Sequence, residues 1–345
     1  MPRTAIRRYL KLLAPGTQLR GGLDRILLGR TGALIVLGNN AKVQQVCSGG
    51  FQIGVDCTEQ NLRELAKLDG AIVLSNDLSR IVAAGVHLVP AGGLPTAETG
   101  TRHRSADRTA QAAGVPVVTV SASMNTVSLF HGGRRHPVET VAQGISRANQ
   151  TLATLSRVVT RLTDQLDQFT LLEIGEQVTL RDLTHVAHRL ELTRRLSVEM
   201  QFHVDVLGVE GRLVSLQHAE LASHFDGIAD LLTEDYAHNL TDPAGFDLLA
   251  LHNFSPEELF SSSLVAERLG FSANLEQPLT TRGVRLLSRV GRLPVPIVTK
   301  LVERYSLQEM FGASVTQLME IDGIGPQRAR QIRDALLRIT ESSGP

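Results

Sequence analysis

The chain has 345 residues, 42% hydrophobic and 20% charged, a composition that excludes wholesale disorder and a length that exceeds one compact core. No apolar run approaches the ~18 residues a membrane span needs. The patch Leu10–Ala14 is broken by Lys11, so neither a spanning segment nor an export signal is expected. The net charge of zero hides three blocks: 17 Lys+Arg against 9 Asp+Glu in residues 1–150, 8 against 20 in 151–281, and 10 against 6 in 282–345. Polyanionic partners are therefore expected at the two ends and not in the middle.

Along residues 1–140, the short β-branched runs Ala33–Leu37, Ala71–Leu74 and Pro116–Val120 predict buried strands. Leu62–Leu68 and Ser105–Ala113 predict helices between them, giving an α/β domain with a sheet flanked by helices. No Gly-x-Gly-x-x-Gly follows a strand, which argues against a dinucleotide-binding fold. Cys47 and Cys57 supply neither a disulfide framework nor a zinc set, so a reducing compartment, the cytoplasm, is expected.

After Pro137 the pattern becomes helical. Leu152, Leu155, Val159, Leu162, Leu166 and Phe169 recur at spacings of three and four, and further helices are predicted at Leu180–Val198 and Leu213–Leu232. Residues 141–281 thus predict an all-α bundle, a spacer and oligomerisation scaffold. Within it His185 and His188 share one helical face but lack the further ligands that a metal site requires. From residue 282 to 345 the chain predicts short helices and tight turns.

In that last segment Leu318-Met319-Glu320-Ile321-Asp322-Gly323-Ile324-Gly325-Pro326-Gln327-Arg328-Ala329-Arg330 resembles the helix-hairpin-helix motif of DNA-repair and recombination proteins. Gly323 and Gly325 permit backbone conformations and close approach that a Cβ resists. Pro326 suits the first turn of the next helix. That helix start would offer free amides to a phosphate, with Arg328, Arg330 and Arg333 close by. Such contacts read no sequence, so any specificity should be for DNA shape, such as a branch or junction. The stretch Leu286–Leu307, with Gly291 and Pro294, reads as a degenerate partner hairpin. The bland alternative is a turn between two packed helices.

Two clusters in the first domain carry chemistry. Asp69-Gly70 precedes the strand Ala71–Leu74, and Gly100-Thr101-Arg102-His103-Arg104-Ser105 gathers two guanidiniums, an imidazole and two hydroxyls in a turn before a helix. A carboxylate can hold magnesium or manganese on a nucleotide, and the basic cluster suits a triphosphate. Together they point to metal-assisted phosphoryl or nucleotidyl chemistry. Asp69-Gly70-Ala71 and Arg102-His103-Arg104, with Leu12–Thr17 and Arg30–Val36, resemble the diadenylate cyclase family, in the form that carries a helical middle and a hairpin tail.

The resemblance implies a cyclase that joins two ATP into cyclic di-AMP under control of branched, Holliday-junction-like DNA. In it, Asp69 would serve a Mg2+ or Mn2+ ion and help activate the attacking hydroxyl, with Arg102 and His103 also catalytic. Gly70 and Leu88 would line the adenosine pocket; Thr101, Arg102, His103, Arg104, Ser105 and Ser121 would hold phosphate. Other members often carry charged residues after the last serine, whereas this chain reads Ser121-Ala122-Ser123-Met124-Asn125. A homo-octamer of two tetramers joined through cyclase domains is also implied. Two rivals stay open: a non-catalytic junction-binding protein with a nucleotide-sensing domain, and a structural scaffold whose basic cluster is a subunit contact.

Overall fold

Short apolar runs between 33 and 138 build one mixed sheet in a computed structural model that describes residues 2–290 and 293–341. The strands are β1 (Ala33–Val36), β2 (Cys47–Ser48), β3 (Phe51–Asp56), β4 (Ala71–Leu74), β5 (Arg80–Leu88), β6 (Val117–Ser121), β7 (Thr126–His131) and β8 (Arg134–Val138). Their order is β2-β5-β4-β1-β6-β7-β8, with β3 also on β5. Only β1 and β4 are parallel; their outer neighbours β6 and β5 run antiparallel to them. The three predicted strands form the centre because their residues are buried on both faces, as continuous β-branched runs must be.

Alternation along these strands feeds two apolar layers. Ile35, Ile72 and Val118 face α1 (Pro2–Leu12), α2 (Gln18–Leu28) and α4 (Glu59–Leu65), whereas Val36, Val73 and Val117 face α3 (Ala41–Val46) and α5 (Thr101–Ala113). Small residues at 106, 110 and 113 let α5 lie close on the sheet, and Gly114, in the left-handed conformation, ends it. These elements belong to one compact unit, Met1–Thr151 with Glu199–Gln217; the other is Leu152–Val198 with His218–Pro345.

The predicted heptad seam lies in α6 (Val141–Ile174), where Leu155, Val159, Leu162, Leu166 and Phe169 are buried. Next comes α7 (Leu180–Leu207). The continuous helix predicted over Leu213–Leu232 is instead two, α8 (Arg212–Ser223) and α9 (Ile228–Tyr236), because Gly227 adopts φ +75 between them. Short helices follow: α10 (Pro256–Leu259), α11 (Ser262–Arg268), α12 (Val284–Ser288), α13 (Val295–Arg304), α14 (Leu307–Gly312), α15 (Val315–Leu318) and α16 (Pro326–Glu341). Ser255, Ser306 and Ser314 close capping boxes on three of them. The last five pack around their own core of Leu286, Ile297, Leu301, Leu318 and Ile332.

A buried polar staple joins α6, α9 and α12. The Arg285 guanidinium donates to Thr170 Oγ1 at 2.9 Å and to the Glu173 carboxylate, whose other oxygen accepts from the Tyr236 hydroxyl at 2.7 Å. Asp235 accepts the Val284 and Arg285 amides at 2.6 and 3.0 Å, capping α12. Burial, reinforced by the Glu173 charge, pushes its carboxyl up to about 7.

Candidate functional site

Strand directions alone assemble the first-domain cluster. Ala33 pairs with Val120, and Ala71 with Val86, so the starts of β1 and β4 and the ends of β5 and β6 share one end of the sheet. Gly32, Asp69-Gly70, Leu88 and Ser121 therefore lie along that end. The start of α5 joins them, since Arg102 Nη1 rests against Gly32 near the Val120 carbonyl. Five of the nominated positions, separated by up to 52 residues in sequence, come together at this end of the sheet.

Asp69 is exposed in the bend before β4, and its carboxylate has no hydrogen-bond or ion-pair partner among the described residues. Gly70 has φ +114, and a Cβ there would meet the Gly85 carbonyl carbon at 2.6 Å. Its glycine is thus required by the bulged β5 backbone beside it, a reason found in the fold itself. Leu88 is half-buried at the end of β5, paired with Cys47.

The helix expected from Ser105 begins four residues earlier, so that Thr101, Arg102, His103, Arg104 and Ser105 form the first turn of α5 and the start of the second. The helix begins early because Gly100 accepts the Arg104 amide at 2.8 Å as N-cap without a side chain. The amides of Thr101, Arg102 and His103 consequently find no acceptor among the described residues, leaving partial positive charge at this end. Thr101, Arg102 and Arg104 are exposed, and neither guanidinium has an ion-pair partner among the described residues. Ten guanidinium N–H donors stand free beside a helix start, an arrangement suited to a triphosphate.

His103 points the other way. It is 9% exposed, edge-on to Phe130 at 5.9 Å, and its Nε2 has no partner among the described residues. Burial, helped by the Arg135 charge and opposed by Glu98, pushes its imidazole below the usual range, so it is neutral at pH 7. Ser121 is half-buried, and its Oγ accepts the Met124 amide at 3.4 Å in the tight β6–β7 turn.

No group of three metal-capable side chains exists among the described residues. A divalent ion at Asp69 would take its other ligands from nucleotide oxygens and water, which fits magnesium or manganese better than zinc. His188 packs on Phe260 at 4.8 Å while His185 is exposed.

In the tail, Gly323 has φ +95 and would meet Ile297 Cδ1 at 2.8 Å if it bore a Cβ. Gly325 needs neither allowance: nothing lies within 4 Å of its Cβ position, and it caps α16 by accepting the Ala329 amide at 3.0 Å. Arg330 is exposed, whereas the Arg328 and Arg333 guanidiniums donate to the Gly323 and Ala313 carbonyls. Sequence reasoning missed Lys300, which bonds Asp322 Oδ2 at 2.8 Å beside the loop. Gly291 of the partner half lies outside the described residues.

Residues 20–135 match the family model described as the DisA bacterial checkpoint controller nucleotide-binding region, and 138–277 match the DisA linker region. The chain is 48% identical to the DNA integrity scanning protein DisA of Cutibacterium acnes over 96% of its own length and 98% of that protein. It is 45% identical to that of Acidothermus cellulolyticus over 98% and 94%. A crystal structure of DacA from Staphylococcus aureus aligns at a TM-score of 0.31 and 21% identity, covering 36% of this chain and 85% of that one. The two family models and the near-full-length relatives define a nucleotide-binding protein of the diadenylate cyclase class. Within that class, the chain belongs to the DNA integrity scanning protein DisA family. Among the described residues no helix is long and apolar enough to cross a membrane.

Proposed function

We propose that the chain condenses two ATP into cyclic di-AMP and two pyrophosphates, and that branched DNA bound through residues 282–345 regulates the reaction. The observation that carries the reading is the convergence of an unpaired carboxylate, two unpaired guanidiniums and three free amides at one end of the sheet. The working division is 1–140 for catalysis, 141–281 for coupling and 282–345 for DNA.

Each protomer holds one ATP. Arg102, Arg104 and the α5 amides stabilise charge on the transferring phosphate, with Thr101, Ser105 and Ser121 as hydroxyl contacts. Leu88 meets the adenosine, and neutral His103 supports the helix start from behind. Each 3′-hydroxyl attacks the other nucleotide's α-phosphorus: two P–O bonds form, two P–O bonds to pyrophosphate break, and two protons are released. Asp69 helps activate the hydroxyl. A magnesium or manganese ion at Asp69 supplies Lewis-acid charge compensation when bound.

Ring closure needs two nucleotides head to tail, hence two sites facing across a two-fold axis. Supporting this, the large apolar side chains that stand exposed among described residues 6–140 are Leu28, Phe51, Leu68, Val89 and Met124. Leu68 and Val89 adjoin Asp69 and Leu88 in sequence, Met124 follows Ser121 by three residues, and Phe51 lies 3.7 Å from the Cβ position of Gly85, beside Gly70. Such a rim suits burial against a second copy. Face-to-face pairing is also compatible with the implied octamer. Chromatography of ATP and Mn2+ incubated with the full chain tests the activity. Cyclic di-AMP with pyrophosphate is expected; ATP bound but recovered unchanged would make the domain a nucleotide sensor.

A further inference from the structure

The segment Arg30-Thr31-Gly32 enters β1 and has no role in the chemistry above. A Cβ on Gly32 would lie 2.1 Å from Nη1 and 2.9 Å from Cζ of Arg102, and 3.3 Å from the Val120 carbonyl oxygen. The Arg102 guanidinium thus occupies the volume that any other residue's side chain would fill. Glycine at 32 has no backbone reason: its φ is not left-handed, unlike that of Gly70. Its only neighbour inside 3 Å is the tip of a flexible side chain, so alanine would fit the fold by pushing that tip away.

We infer that Gly32 is a positioning residue: its missing side chain sets where the Arg102 guanidinium stands at the nucleotide phosphate. The inference rests on the reading of Arg102 as a phosphate ligand. Arg102 has no hydrogen-bond or ion-pair partner among the described residues, and its guanidinium stands in the space that Gly32 leaves open. Transition-state charge stabilisation depends steeply on placement, and a displacement of about 1 Å can cost about 100-fold.

The test is a double-mutant cycle on the full chain: wild type, Gly32→Ala, Arg102→Ala and the double variant. Thermal melting is recorded for each, together with kcat and KM for cyclic di-AMP formation from ATP with Mn2+. Gly32→Ala should melt with wild type while kcat/KM falls by about 100-fold. In the Arg102→Ala background the same change should cost less than about twofold, because the group it positions is gone. Wild-type kcat/KM in Gly32→Ala, or an equal fall in both backgrounds, overturns the inference. So does a Gly32→Ala protein that melts well below wild type, since the fold would then need the glycine for itself. If Arg102→Ala keeps full activity, the phosphate reading falls as well. If Arg102→Ala is inactive and Gly32→Ala active, only the positioning role falls.

Discussion

Gly70 and His103 both belong to motifs that suggest ligand contact, yet each is fixed first by its neighbours in the fold. Gly70→Ala would force a left-handed φ on alanine and drive its methyl into the Gly85 backbone, so we expect a loss of about 1–3 kcal/mol in denaturant unfolding. The imidazole of His103 has its affinity for protons lowered by burial. A base with a depressed folded pKa contributes stability that is full above its unfolded value, about 6.5, and lost as pH falls through the folded one. Melting temperature should therefore drop as pH falls below about 6.5, and His103→Gln should flatten that part of the profile; an unchanged profile in the variant would place the titration elsewhere. The sequence marked His103 as chemically notable. Its inward direction came from the 103, 106, 110, 113 stripe, which is visible only once the helix is known to start at Thr101.

At the scale of elements, the central strands and the α6 seam were legible because burial on both faces, or on one helical stripe, leaves a periodic trace. Strands β3, β5 and β8 were not, because polar or half-exposed positions and the bulge at Gly85 blur the period, and buried β7 carries Ser128 within its short apolar run. Nor could pairing across 112 residues be read, which is why the Arg285–Glu173 staple was unforeseen. Arg285→Ala would leave Glu173 buried without its cation, so unfolding free energy should fall by about 3–5 kcal/mol. A smaller loss in Arg285→Met/Glu173→Gln, measured by the same urea titration, would assign the effect to the stranded charge. Equal losses would assign it to packing.

Over the whole molecule, the basic charge of residues 282–345 is what the proposed DNA contact draws on. Removing residues 282–345 to test DNA binding would also strip Glu173 of Arg285, confounding the result. Gly325→Asp is the better probe, since its Cβ meets open space whereas Gly323→Asp would collide with Ile297. We expect Gly325→Asp to weaken junction binding without altering the melt. Wild-type affinity should fall with salt by a log–log slope of about −0.9 per phosphate contact, a slope reduced in the variant. From the family resemblance, saturating branched DNA should lower cyclic di-AMP output, and only if it binds active and inactive assemblies unequally. An unchanged rate at saturation would rule out the coupling.

The central claim is that the carboxylate at the start of β4 drives nucleotidyl transfer at the sheet end. Asp69→Asn keeps size and removes charge at an exposed position whose carboxylate has no hydrogen-bond or ion-pair partner among the described residues. The most direct measurement is single-turnover cyclic di-AMP formation by wild type and Asp69→Asn, with ATP and Mn2+ at saturating concentrations and both proteins shown to melt alike. A loss of at least about a thousandfold is predicted. Near-wild-type formation by the folded variant would contradict it.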